Sequence, residues 1–136
     1  MAGSKSDFLE LEVLDHVLGN AAYTAPTNVY VALYTADPSD AGGGTECNTE
    51  VGSYARKVVV NNDTNWPAAA AGAKANGAEI TFVEATASWG TICAFGIFDN
   101  LTAGNLLYWA ELTTNKTIDS GDTAKFAVGD LDVTED

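Results

Sequence analysis

Asn28-Val29-Tyr30-Val31-Ala32-Leu33-Tyr34-Thr35 is the stretch on which the fold turns. It combines β-branched and aromatic residues, and Val29, Val31 and Leu33 alternate with Tyr30 and Tyr34. That two-residue period predicts a strand with two distinct faces.

On its C-terminal side, Asp37-Pro38-Ser39-Asp40-Ala41-Gly42-Gly43-Gly44 is built of turn formers, and no periodicity returns before Gly52, so a flexible loop is expected there. Tyr54 to Val60 resumes strand character. Residues 61–77, rich in Asn, Ala and Gly and containing Trp66-Pro67, read as a second long loop. Ala78 to Glu84 alternates around Ile80 and Phe82, as a half-buried strand does. Thr91 to Phe98 is almost wholly apolar and suits the middle of a packed sheet. The turn formers of Asp99 to Asn105 predict a hairpin loop. Its return strand, Leu106 to Leu112, is expected to carry Leu106, Tyr108, Ala110 and Leu112 on one face. After Ser120-Gly121-Asp122, strands are expected over Thr123 to Val128 and Leu131 to Thr134, with Gly129-Asp130 as a bulge or short turn.

On the N-terminal side the period changes. Over residues 6–19, Phe8, Leu11, Leu14 and Leu18 form a stripe that Leu9, Val13 and Val17 widen, which predicts a helix. Ser4 or Ser6 caps its start, Asp7 and Glu10 complement its N-terminus, and Gly19-Asn20 stops it. A stripe this wide must be covered, by the protein's own core first and by another subunit as the alternative.

These elements predict a mainly β protein, a β-sandwich or jelly-roll-like barrel with one N-terminal helix. The 136 residues suit a single domain over 1–136, with the helix at about 6–19 and the sandwich at about 28–134. No linker or fixed-period repeat divides the chain.

Apolar residues make up 46% of the sequence, enough to offset chain entropy, so a disordered chain is not expected. Nineteen acidic against six basic residues give a formal charge of −13. Such a field repels phosphate backbones and anionic lipid, so neither nucleic acid nor membrane is an expected partner. The N-terminus lacks the pattern of a signal peptide, and synthesis in a cytoplasm is expected.

The search for reactive groups yields no catalytic, cofactor-binding or metal-ligating set. His16 is the single histidine and has no cysteine near it in sequence to complete a metal site or nucleophile pair. Cys47 and Cys93 lack a C-x-x-C pattern. Cys93 reads as a small buried side chain, and a disulfide between the two is left open. The acidic residues around Gly42-Gly43-Gly44 lack calcium-loop spacing, and the triple glycine lacks the Lys-Ser or Lys-Thr of a phosphate loop. Trp89 and Trp109 read as core. Trp66 differs, since an indole beside proline in a polar loop needs a cover, and a neighbouring subunit is a candidate.

An ordered set of short motifs runs along the chain: Tyr23-Thr24-Ala25-Pro26, Tyr30 to Pro38, Thr45-Glu46, Gly52-Ser53-Tyr54-Ala55-Arg56-Lys57, Ala87-Ser88-Trp89-Gly90-Thr91, Gly96-Ile97-Phe98-Asp99, Gly104 to Trp109, Ser120 to Asp122, and Phe126-Ala127-Val128-Gly129. In this order it resembles a family of small structural proteins from tailed bacteriophages, labelled tail-fibre, virion structural or head-decoration proteins. The likeness extends from Leu14 to Val133. The loop with Cys47-Asn48-Thr49 is longer than the Thr-Glu-Val-Gly connection usual in that family.

The resemblance implies a non-enzymatic virion component present in many copies. A compact domain without fibre repeats points first to a head-decoration (cement) protein on the outer capsid surface. Its partners would be the major capsid protein and copies of itself, with Phe8, Leu11 and Trp66 as candidate subunit or lattice contacts. The alternative is a tail-fibre or baseplate module that meets a host receptor through residues 61–77 and 99–105. A small carbohydrate-active enzyme is disfavoured, because no acid and nucleophile pair can be argued from spacing.

Overall fold

The strand expected at Asn28 forms and becomes the spine of the molecule. A computed structural model describes residues 4–135; residues 1–3 and 136 of the expected domain lie outside them. The chain order is β1 (Ser4–Lys5), α1 (Asp7–Leu18), β2 (Asn28–Ala36), β3 (Thr45–Glu46), β4 (Lys57–Val60), β5 (Ala73–Ala75), β6 (Ile80–Glu84), β7 (Gly90–Phe98), β8 (Leu106–Ile118), β9 (Thr123–Phe126) and β10 (Asp132–Thr134). The protein is mainly β with one N-terminal helix, as its alternations require.

The principal sheet has the order β1-β8-β7-β2, and β3 and β4 share the outer edge of β2. Two small ribbons, β5–β10 and β6–β9, form the opposing layer, and every pairing is antiparallel. The alternation of β2 sorts its side chains as expected. Val29, Val31 and Leu33 enter the larger core with Phe95, Ile97 and Leu107, where the ribbons contribute Ile80, Phe82, Phe126 and Leu131. Phe95 and Phe126 meet edge to face across the layers, with ring centroids 5.8 Å apart. Ala32 and Tyr34 face the other way, into a small cluster with Ala94, Phe98 and Leu106.

β8 departs from a single alternation. Ile97 pairs with Tyr108 but Phe98 pairs with Leu106, which leaves Leu107 as an extra residue. The bulge turns Leu106 into the small cluster while Tyr108, Ala110 and Leu112 stay with the larger core. Leu106 therefore does not share the face expected for it. A second irregularity sets residues 112–115 opposite Cys93 alone, and β8 resumes beyond it to Ile118.

The outer edge of β2 poses a hydrogen-bonding problem. β4 pairs with Asn28 to Val31 and β3 with Tyr34 and Ala36, leaving Leu33 between them. The Leu33 carbonyl accepts from the Cys47 amide at 2.9 Å, and the Leu33 amide donates to the Tyr54 hydroxyl oxygen at 2.9 Å. A phenol thus stands in for the missing strand neighbour.

Tyr54 in turn donates to Glu46 Oε1 at 2.9 Å, and Arg56 grips the same carboxylate, Nε to Oε1 at 2.9 Å and one terminal nitrogen to Oε2 at 2.8 Å. The other terminal nitrogen donates to the Asn100 and Ala103 carbonyls at 2.9 and 2.8 Å. The guanidinium carbon also lies 3.6 Å from the centroid of the Phe98 ring. Burial opposes the charge of Arg56, but the hydrogen bonds and carboxylate of Glu46 outweigh it and raise its pKa. Burial and Glu46 together push the Tyr54 phenol far up, so it stays a proton donor. This network explains why strand pairing starts at Lys57, not at Tyr54 as expected: residues 54–56 are turned to the network.

Cys47 and Cys93 are free thiols. Cys47 sits in the larger core and Cys93 packs against the small cluster on the other face of the sheet. Burial, then Glu46, pushes the Cys47 thiol up to about 12.

Lysine cannot reproduce the fork of Arg56, so Arg56→Lys should lose about 1–2 kcal/mol and Arg56→Ala about 3 kcal/mol in urea denaturation. Wild-type stability in Arg56→Lys would mean that charge alone suffices. A thiol reagent at pH 8 should modify Cys93 in the folded protein and reach Cys47 only on unfolding, with mass spectrometry reading the order. Equal labelling rates would contradict the burial described above.

Candidate functional site

The most unusual surface is the helix. Ser6 caps it: its hydroxyl accepts from the Leu9 amide at 3.2 Å and donates to the Leu106 carbonyl, while its amide donates to Leu107 O at 2.8 Å. The Asp7 amide reaches Asp40 O at 2.9 Å. At the far end His16 Nδ1 accepts from the Tyr23 amide at 3.1 Å, so the single histidine ties the following chain back to the helix.

Both ends are pinned, yet the helix has little of its apolar surface inside. Leu9 is buried, and Phe8 and Val13 pack partly against the larger core. Leu11, Leu14, Val17 and Leu18 are 64%, 55%, 67% and 82% exposed. At about 100° per residue Leu11, Leu14 and Leu18 fall on one side, opposite Leu9 and Val13, and Val17 lies at the margin between the two sides. Of the expected stripe, Phe8 therefore meets the protein's own core in part, and Leu11, Leu14 and Leu18 do not.

A cleft of about 550 Å³ separates α1 from that segment. Leu9, Val13, Tyr23, Pro26, Trp66 and Tyr108 are among the side chains that line it. Trp66 is 6% exposed and belongs to the larger core. The indole is enclosed by the protein's own core, and the loop is turned inward by Trp66 N to Asn62 O at 2.8 Å, Asn65 Nδ2 to Val60 O at 2.9 Å and Gly77 N to Asn65 O at 2.7 Å. Its indole nitrogen has no hydrogen-bond partner among the described residues. The three residues expected at contacts thus have different surroundings: Phe8 half-buried, Leu11 exposed, and Trp66 enclosed.

The outer helix face is acidic as well as apolar. Asp7, Glu10 and Asp15 are exposed beside the leucines, and α1 contains neither lysine nor arginine. Glu12 lies near the cleft, where burial first, and then the charges of Asp99 and Glu12, raise the Tyr23 pKa. The helix thus presents an apolar ridge within a negative field.

Residues 4–134 match the family described as podophage GP4 fiber I protein gp80. The chain belongs to this family. It is therefore a member of a phage virion structural family with a fibre label, in agreement with the resemblance carried by its motifs. No curated protein matches the sequence.

Sequence reasoning singled out Leu11 but missed that Leu14, Val17 and Leu18 form the open side with it. The signal was present in apolar residues on all sides of a short helix, which one flat sheet cannot cover.

Leu14→Ser combined with Leu18→Ser should change folding stability by no more than about 0.5 kcal/mol, since both side chains already face water. Leu9→Ala should cost about 2–3 kcal/mol. Urea denaturation of both variants tests the assignment, and the reverse ranking would mean that the helix presents its other side to the core.

Proposed function

We propose that this protein is a component of the phage tail-fibre apparatus, acting by binding and not by catalysis. The observation that carries the proposal is the match over residues 4–134 to a family described as a podophage fibre protein. That description favours the tail over the outer head surface, which the compactness of the domain had suggested.

The surface supports a binding role. Asp37 raises the pKa of the fully exposed Glu111. The larger cleft is walled mainly by apolar side chains, which suits a binding surface.

In this reading the hairpin loop after β7 is a candidate contact for a host receptor. Leu101 is exposed at its tip, and Arg56 holds the loop through Asn100 and Ala103. Asp99 accepts from the Asn105 amide and side chain at 2.7 and 2.9 Å, which stiffens the loop from within. A loop ordered before it meets its target loses less entropy on binding.

Immunogold labelling of intact virions, viewed by electron microscopy, tests the location. Gold confined to the tail is the expected result. Dense gold over the head would overturn the tail assignment in favour of capsid decoration.

A further inference from the structure

We propose that the outer face of α1 is a docking site for an apolar segment flanked by lysine or arginine on a different virion protein. This inference concerns the chemistry of the partner and holds whether the protein sits on the tail or the head.

Three observations lead to it. Leu11, Leu14, Val17 and Leu18 form a continuous exposed patch on a helix pinned at both ends, so the patch does not arise from fraying. Patches of a few hundred Å² on otherwise polar proteins mark interaction surfaces. A 12-residue helix is also marginal by itself in water. A lysine or glutamine stripe in place of the leucines would serve an unpartnered helix better, because it keeps helix propensity and nothing inside the protein uses the leucines.

The charge pattern selects the occupant. Asp7, Glu10 and Asp15 lie on the same side as the patch, with no lysine or arginine on α1 to balance them. A second copy meeting this face across a two-fold axis would bring three carboxylates against three carboxylates, and each chain carries a formal charge of −13. Like charges across an interface select against that pairing. A partner with leucine-sized side chains between basic residues satisfies both features: its apolar groups cover the leucines, and its cations meet the acids at the rim.

The test uses virions that carry a photo-reactive benzoylphenylalanine at Leu18, with a second virion stock carrying it at Leu14. Irradiation followed by peptide mass spectrometry identifies whatever covers the helix. The expected product is an adduct with another virion protein, at an apolar residue within a few positions of lysine or arginine. An adduct with a second copy of this chain would overturn the proposal, as would incorporated protein that yields no adduct at either position. In parallel, Glu10→Gln combined with Asp15→Lys should lower the copies per virion at least tenfold while leaving the thermal unfolding of the purified protein in place. Unchanged incorporation of that variant would remove the basic partner from the proposal.

Discussion

The grip of Arg56 on Glu46 is the constraint that the rest of the sheet edge depends on. β2 cannot be completed by one neighbour, because β4 and β3 reach only its two ends and leave Leu33 between them. Tyr54 fills the vacancy only if its hydroxyl is aimed at the Leu33 amide, and Glu46 aims it by accepting its proton. Arg56 then fixes Glu46 from the far side and spends its remaining donors on the hairpin loop. A single guanidinium therefore joins the loop after β3, the edge of β2 and the turn between β7 and β8. Its side chain is only 8% exposed, so the ion pair is shielded from the screening that weakens surface pairs. Trp89 secures the same loop independently, through Nε1 to Gly52 O at 2.8 Å and an edge-to-face contact with Tyr54.

A comparable device organises the opposing layer. The two ribbons do not hydrogen-bond into one sheet, and the buried Asn76 compensates. Its side chain accepts from the Leu131 amide and donates to the Ala78 and Ala127 carbonyls, each at 2.9 Å. The side-chain amide thus holds the turn before β10 against the start of the β6 segment. Each donor and the acceptor oxygen of that amide finds a partner, so its burial is compensated. Together, Asn76 and the Arg56 network let a chain of short strands behave as two layers around one core.

What could be read from the residues depended on how local the governing interaction was. β2, β6, β7, the hairpin and the helix are encoded by side-chain period and turn chemistry within a few residues, and they appear close to where the periods placed them. β1, β3 and β5 were not legible, being two or three residues long and existing only because a distant strand offers a partner: Ser4 pairs with Trp109, and Ala73 with Thr134. The continuation of β8 past Leu112 was hidden by the four-residue bulge, which breaks the alternation that defines a strand in sequence. Trp66 shows the same limit at the level of a side chain, since it reaches the core only because Asn62 and Asn65 turn its loop inward. The acidic, apolar helix was legible as a pattern, but which side faced out was not, because it is set by tertiary contacts of Leu9, Phe8 and Val13 with the core.

The position of α1 connects fold to function. The helix is held to the sheet by its caps, by Leu9 and in part by Phe8 and Val13, a cleft separates it from the Trp66 segment, and its leucines face outward. The Ser6 cap therefore has a larger part than caps usually have, for it replaces the packing that most short helices rely on. It bonds to Leu106 and Leu107, the residues of the bulge in β8, so the displaced register of that strand is also what presents the carbonyls to the cap. An irregularity in the central sheet thus sets the position of the helix, and the position of the helix sets the surface offered to the virion.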